Sequence, residues 1–226
     1  MPIPKNLVHL REQIIAAENQ YGRLPNSVKL LAVSKGQSIE AICIAAQAGQ
    51  RCFGESYLQE ALPKIIALQD LALEWHFIGA VQANKTQAIA THFAWVHSLS
   101  RDKIAKRLQE QRPLHLPPLN ICLAVNIDDE PQKTGLTLEE LPIIVASVSQ
   151  FSRLNLRGLM VIPKPSTDFI EQRARFAKVR SAFEKLQQQG YALDTLSMGM
   201  SHDFKAAIAE GATIVRSGTA LFGSRR

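Results

Sequence analysis

The sequence contains no apolar run that approaches the roughly 20 residues needed to cross a membrane. Its first residues also lack the basic region and the apolar region of a secretory signal peptide. These two absences argue against a membrane protein and against a secreted one. We therefore expect a protein that stays in the cytoplasm and has no membrane partner.

Cysteine is scarce, and Cys43, Cys52 and Cys122 stand far apart in apolar stretches. An odd number of cysteines at wide spacing argues against a disulfide framework and fits a reducing compartment. None of them has the spacing of a metal-ligand motif. We expect three thiols that pack as small apolar side chains, and no metal site.

Clusters of basic residues are also missing, although the net charge is +6. The Lys and Arg residues are scattered, and no basic run is interleaved with aromatic residues as in many nucleic-acid-binding proteins. We expect a mildly basic surface without a nucleic-acid partner. Because 46% of the residues are hydrophobic and 20% are charged, the chain can fold around a large core.

Short apolar runs typical of buried strands alternate with longer segments of helical periodicity. Eight such units predict an α/β protein, a single (β/α)8 TIM barrel over residues 1–226 with an extra N-terminal helix. A doubly wound sheet is the alternative. The predicted strands are residues 28–33, 51–53, 74–78, 93–97, 120–126, 156–161, 195–196 and 213–215. The predicted helices are residues 5–20, 38–48, 56–68, one from about 83, 101–111, 137–150, 168–189, 203–210 and 219–222.

The carboxyl ends of the predicted strands carry a concentration of polar and glycine residues, with the sixth strand as the exception. In a TIM barrel, the ligand-binding residues come from these strand ends and from the loops that follow them. Lys35 follows the first predicted strand, directly after Ser34. Partial burial would favour its neutral amine, which can form an imine with an aldehyde. The alternative is an ordinary surface lysine at a strand terminus.

The loops after the last two strands contain Ser197 and Gly199, and then Gly218 and Thr219, each shortly before a predicted helix. Unpaired backbone N–H groups and the helix dipole favour an anion there, and these loops often bind phosphate in this fold. The same residue types also serve as ordinary helix caps. If both loops bind an anion, Lys35 opposite them predicts a phosphorylated aldehyde as ligand.

Arg216 comes directly after the last predicted strand, where a buried charge needs an acceptor. One possibility is a hydrogen bond to a ring nitrogen of the ligand, which a permanently protonated arginine would keep unprotonated. The other is a structural salt bridge with Glu210 or Asp203.

These residues and their neighbours resemble the YggS/PROSC family of pyridoxal 5′-phosphate (PLP) homeostasis proteins, also called alanine racemase N-terminal-like. The resemblance spans nearly the whole chain, and its C-terminal block is the most specific part. Ser56 departs from the pattern, because the family usually has asparagine after its Gly-Glu pair. The matching blocks are residues 31–35, 53–60, 75–79 with Gln82, Asn84 and Lys85, 125–127 with Lys133 and Gly135, 156–160, 196–201, 215–219 and 222–223.

The resemblance implies that Lys35 carries PLP as an internal aldimine (a Schiff base) and that Arg216 faces the pyridine nitrogen. It implies that the phosphate lies on Ser197, Gly199, Ser201, Gly218 and Thr219. Further cofactor-binding candidates are Ser56, His76, Asn126 and Met160, with Met198 as a second apolar wall. His76 is also the best remaining acid–base candidate, although a histidine bonded within the barrel wall is the more ordinary explanation. Tyr57 is expected to pack near the mouth of the barrel.

By the same resemblance, the protein is a monomeric PLP carrier or regulator that acts in PLP homeostasis and so in amino and keto acid balance. PLP-dependent apoenzymes are its candidate partners, and we expect no catalytic residues. One alternative is a PLP-dependent amino-acid racemase, which needs acid–base groups on both faces of the cofactor. Another is a barrel enzyme for a phosphorylated sugar, in which Lys35 forms an aldolase-type imine.

Overall fold

The computed structural model describes residues 3–128, 130 and 134–223. Eight parallel strands form a closed barrel in chain order, and the last strand pairs with the first. This confirms the predicted (β/α)8 TIM barrel and excludes the doubly wound sheet. The strands are β1 (Lys29–Val33), β2 (Cys52–Glu55), β3 (Glu74–Phe77), β4 (Trp95–Leu99), β5 (Leu119–Val125), β6 (Leu154–Val161), β7 (Thr195–Ser197) and β8 (Ile214–Ser217).

One helix precedes the first strand, and an α-helix follows every strand, so the helices surround the barrel. None of the helices in the described ranges is long and apolar enough to span a membrane. The helices are α1 (Ile3–Gln20), α2 (Ile39–Gln47), α3 (Leu58–Ala67), α4 (Thr86–His92), α5 (Asp102–Gln111), α6 (Leu141–Val148), α7 (Phe169–Gln188), α8 (Phe204–Ala209) and α9 (Thr219–Phe222). Short 3-10 turns lie at Gln69–Leu71 and Ala83–Lys85.

The predicted element ends agree with the structure to within about three residues, with one exception. The helix predicted from residue 137 begins at Leu141 instead. Thr137 and Glu140 form a reciprocal turn, in which the N–H of Thr137 donates to Oε2 of Glu140 at 2.8 Å and the N–H of Glu140 donates to Oγ1 of Thr137 at 3.3 Å. Such side-chain bonds to the backbone compete with helical ones, and periodicity alone does not distinguish the two.

The extra helix α1 buries one face against α2, α8 and α9. Its buried residues Leu7, Leu10 and Ile14 follow the spacing of one helical face. The amide of Asn6 donates to the backbone oxygen of Leu221 at 2.9 Å, which ties this helix to α9. Helix α1 therefore holds the segment next to the end of β8 in place.

Apolar packing divides into two clusters. The larger cluster fills the layer between the strands and the surrounding helices. A small second cluster consists of Trp95, Cys122, Ala124 and Met160, with alternate residues of β5 in it. Alternate residues of a barrel strand point inwards, so this cluster belongs to the barrel interior. The interior also holds buried polar residues, which are described below with the site.

Candidate functional site

A cavity of about 260 Å³ lies where the strands end. This volume is close to the lower end of the range of about 300–1,000 Å³ for small-molecule sites, which suits a ligand of one ring and a charged group. Among the residues predicted for the site, seven line the cavity: Lys35, Ser56, Met160, Ser201, Arg216, Gly218 and Thr219. The structure therefore brings together residues that are up to 184 positions apart in the chain.

Lys35 is half-buried in the turn that follows β1, and both of its neighbours are held in place. On one side, Ser34 is fully buried and its hydroxyl donates to Oε1 of Glu55 at 2.6 Å. On the other side, Gly36 has a φ of +72° and donates its N–H to Oε2 of Glu60 at 3.0 Å. A positive φ favours glycine. The turn that carries Lys35 is therefore fixed before any ligand binds.

Beneath this turn lies a buried ion pair between Lys64 of α3 and Glu55 of β2. Nζ of Lys64 donates to Oε1 of Glu55 and to the backbone oxygen of Ser34, both at 2.9 Å. Burial raises the pKa of the Glu55 carboxyl, although the hydrogen bonds from Ser34 and Lys64 oppose the shift. This pair was not predicted from the sequence. Its signal is that Lys64 shares the buried face of α3 with Leu58 and Ala61.

Arg216 borders the cavity from β8, and only 4% of its surface is exposed. Its Nη1 donates to the backbone oxygen and to Oγ of Ser197 at 2.8 and 2.9 Å, and its Nη2 donates to the backbone oxygen of Val161 at 2.7 Å. Burial lowers the pKa of Arg216 to about 10, and the Asp203 carboxylate opposes this shift, so the guanidinium stays charged at neutral pH.

The alternative prediction, that Arg216 forms a structural salt bridge with Glu210 or Asp203, is wrong. Glu210 instead pairs with Arg173 at 2.7 Å and with Arg180 at 2.9 Å. Asp203 accepts a hydrogen bond from the N–H of Met200 at 2.5 Å, and the hydrogen bonds recorded for Arg216 reach backbone and serine oxygens instead. Within the described residues no carboxylate is hydrogen-bonded to this buried guanidinium, so its remaining N–H groups can donate to a polar atom of a ligand.

The segment after β8 contributes Gly218 and Thr219 to the cavity. A Cβ atom at Gly218 would lie 3.1 Å from the backbone oxygen of Val33, so a larger residue would crowd β1. Helix α9 begins at Thr219, and the first N–H groups of a helix have no acceptor within it. Ser201 adds a hydroxyl that lies 3.3 Å from the hydroxyl of Ser217. These donors form one polar wall of the cavity.

Three residues predicted to contact the ligand do not line the cavity. Ser197 is fully buried in the barrel, between the Nδ1 atom of His97 and Arg216. Gly199 has a φ of +93°, and a Cβ atom there would lie 2.6 Å from that of Ala207, so the glycine serves the turn. Met198 packs in the outer apolar layer. The loop after β7 does border the cavity through Met200, Ser201 and His202. Ser197, Met198 and Gly199 instead lie below or behind the cavity.

His76 also lies inside the barrel and does not line the cavity, so the prediction that it contacts the ligand is not supported. It is fully buried, its ring stacks on Trp95, and its nitrogens lie 2.8 Å from Nε2 of His97 and 2.9 Å from Oε1 of Glu74. Tyr57, expected to pack near the mouth, is 64% exposed.

Asn126 lines a neighbouring cavity of about 290 Å³ that shares Ile78, Met160 and Ile162 with the first one. Its side-chain amide is bonded to the backbone N–H and oxygen of Glu130 at 3.2 and 2.9 Å. Asn126 thus shapes the loop after β5 beside the site. Lys133, which belongs to the same sequence block, lies outside the described residues.

Some residues that line the cavity were not predicted from the sequence, namely Gln37 and His202 on polar loops and Ile78 beyond β3. Gln37 and His202 follow predicted strands by a few residues, so attention to whole loops would have found them, and Ile78 is the last residue of the third predicted strand. His97 was missed for another reason. It shares the inner face of β4 with Trp95 at a spacing of two, and Trp95 pairs with His76 on β3.

The full length of the chain has close relatives. The family described as alanine racemase, N-terminal domain, matches residues 6–226. The pyridoxal phosphate homeostasis protein of Pseudomonas aeruginosa is 53% identical over 99% of this chain and 96% of the relative. The chain belongs to the family of pyridoxal phosphate homeostasis proteins. The member from Escherichia coli is 48% identical over 99% of this chain and 97% of its own length.

A solved structure from this family has the same fold. PipY of Synechococcus elongatus, with PLP bound, is 40% identical and has a TM-score of 0.86. The match covers 98% of this chain and 100% of that chain.

Proposed function

We propose that this protein binds PLP in the cavity, holds it covalently through Lys35, and acts in PLP homeostasis without catalytic turnover. The observation that carries the proposal is that Lys35 and Arg216 border one cavity together with the polar wall formed by Ser201, Gly218 and Thr219. The PLP-bound relative PipY supports the choice of ligand.

The residues present fit the chemical groups of PLP. When bound, PLP supplies an aldehyde that condenses with a primary amine, and a phosphate. Lys35 offers the amine, and the polar wall at the start of α9 offers donors to the phosphate. Arg216 offers a charged donor to the ring nitrogen, which it would keep unprotonated. Met160, Ile78 and Val33 give the cavity apolar walls for the ring.

The absence of turnover is supported by the small number of acid–base groups in the cavity. Among the described residues that line it, the titratable side chains are Lys35, His202 and Arg216. Arg216 keeps its proton, and His202 is exposed at the rim. Racemisation needs a positioned group on each face of the cofactor, and an unprotonated ring is a poor electron sink.

A carrier must also release its cargo. Met200, His202 and Thr219 are exposed at the edge of the cavity, which leaves a bound molecule accessible from outside. We propose a single-domain, monomeric protein of the cytoplasm that hands PLP to apoenzymes.

The attachment through Lys35 is tested with the variant Lys35→Ala and the control Lys205→Ala, which removes an exposed lysine of α8. Both variants should fold and give the circular dichroism spectrum of the native protein. After loading with PLP, borohydride should fix the cofactor on the native protein and on the control. It should fix none on Lys35→Ala. Equal labelling of both variants would contradict the proposal.

The racemase alternative is tested by incubating the PLP-loaded protein with single L-amino acids. We expect the optical rotation to stay constant beyond the slow reaction of free PLP. Loss of optical activity at an enzymatic rate, abolished in His202→Asn, would identify a racemase and end the carrier proposal.

A further inference from the structure

A continuous chain of hydrogen bonds runs through the barrel from Glu74, at the start of β3, to Arg216 in the cavity. Nε2 of His76 lies 2.9 Å from Oε1 of Glu74, and Nδ1 of His76 lies 2.8 Å from Nε2 of His97. Nδ1 of His97 lies 2.8 Å from Oγ of Ser197, which accepts from Nη1 of Arg216 at 2.9 Å. Both histidines and Ser197 are fully buried.

The two ends of this chain fix the direction of every hydrogen bond in it. Arg216 can only donate, so Oγ of Ser197 accepts from it and has one hydrogen left to give. That hydrogen goes to Nδ1 of His97, which leaves the proton of this ring on Nε2. His97 therefore donates to Nδ1 of His76, whose own proton lies on Nε2 and is donated to Glu74. All groups are satisfied with two neutral imidazoles.

The opposite order is unfavourable. If Nδ1 of His97 carried the proton, the hydroxyl hydrogen of buried Ser197 would lose its acceptor. His76 would then need protons on both nitrogens to bond to His97 and Glu74, which places a cation inside the barrel. Burial lowers the pKa of both histidines, in agreement with two neutral rings.

We infer that His97 is a positioning residue that acts through Ser197 on Arg216, in a chain whose two imidazoles are neutral and protonated on Nε2. By taking the hydroxyl hydrogen of Ser197, His97 turns the lone pairs of this oxygen towards Arg216. Oxygens of Ser197 and Val161 then hold three of the five guanidinium N–H groups. The two remaining N–H groups are left for a ligand.

Other polar and charged groups lie next to this chain of hydrogen bonds and act on its members. Nζ of Lys29 and Sγ of Cys52 each lie 3.3 Å from Oε1 of Glu74. Arg157 lies over the ring of Trp95, which stacks on His76, and is paired with Asp194. Asp203 is the carboxylate that acts on the charge of Arg216.

The direction of these hydrogen bonds is tested on the full-length protein without PLP. Nitrogen NMR of the imidazole rings distinguishes the two neutral tautomers from the cation. We expect His76 and His97 to be neutral and protonated on Nε2 at pH 7. An Nδ1 proton on His97, or a doubly protonated His76, would overturn the inference.

The effect on the cavity rests on the proposed function and is measured as PLP affinity. Ser197→Ala separates Arg216 from the histidines with a minimal change of volume, and His97→Phe removes the donor and acceptor of the middle ring. Both variants should bind PLP about fivefold more weakly, the effect of one net hydrogen bond, and should shift the absorption band of the bound cofactor. Cys122→Ala, a control in the same interior, should do neither.

The two levels of failure are distinguishable. If native protein and control bind PLP but Ser197→Ala binds it equally well with the same spectrum, His97 does not position Arg216. If the native protein binds no PLP, the proposed function fails, while the tautomers still decide whether the chain is ordered as inferred.

Discussion

The cavity and the barrel interior beneath it both contain polar side chains, but they use them differently. In the interior, His97 is hydrogen-bonded on both sides, to His76 and to Ser197. In the cavity, Ser201 and Thr219 line open space at the strand ends. Nearly all buried polar groups in folded proteins are hydrogen-bonded. A polar residue near a strand end can therefore bind a ligand only if its side chain reaches the cavity.

The largest change in the free energy of unfolding is expected from breaking the buried ion pair between Lys64 and Glu55, below Lys35. Lys64→Met should lower the free energy of unfolding by about 3 kcal/mol, near the low end for a broken buried pair, because Glu55 can take up a proton. Urea unfolding measures this. The exposed control Lys106→Met, which breaks an ion pair with Asp102 at 2.9 Å, should lower it by about 0.5 kcal/mol or less. Equal losses would mean that the interior pair has no special role.

Acid should weaken the interior through its two histidines. Burial lowers the pKa of His76 and His97 in the folded protein. Below about pH 6.5, the usual histidine pKa, these side chains therefore bind protons in the unfolded state but stay neutral in the folded state. The free energy of unfolding should then decrease by up to about 1.4 kcal/mol per pH unit for each histidine. Urea midpoints between pH 7.5 and 5 measure the slope.

A variant separates this effect from the rest of the protein. His97→Phe should reduce the slope by up to half, whereas the exposed control His115→Gln should leave it unchanged. An unchanged slope in His97→Phe would show that the buried rings are not the cause.

The smallest effect is expected at the cavity wall. Ser201→Ala removes one hydroxyl from the proposed phosphate site and should weaken PLP retention by about 1 kcal/mol, the contribution of one net hydrogen bond. Equilibrium dialysis measures it, with Ser181→Ala on the exposed face of α7 as control. Equal retention in the two variants would remove Ser201 from the site.

The sequence predicted the barrel well because buried apolar runs followed by polar or glycine residues mark strand ends. The same pattern points to Lys35, Arg216 and Gly218, which border the cavity. It failed for Ser197 and His76, because a strand position does not reveal the layer that a side chain occupies or which neighbour satisfies it. Ser197 is bonded to His97, 100 positions away in the chain, and His76 is bonded to His97 on the neighbouring strand. Such contacts exist only once the barrel closes.

The amine of Lys35 is the group in the cavity that we propose to react with PLP. The most direct test is to load the native protein with PLP, reduce it with borohydride and locate the added mass by peptide sequencing in a mass spectrometer. We expect the mass on Lys35. Its presence on another lysine, or its absence from the protein, would contradict the account.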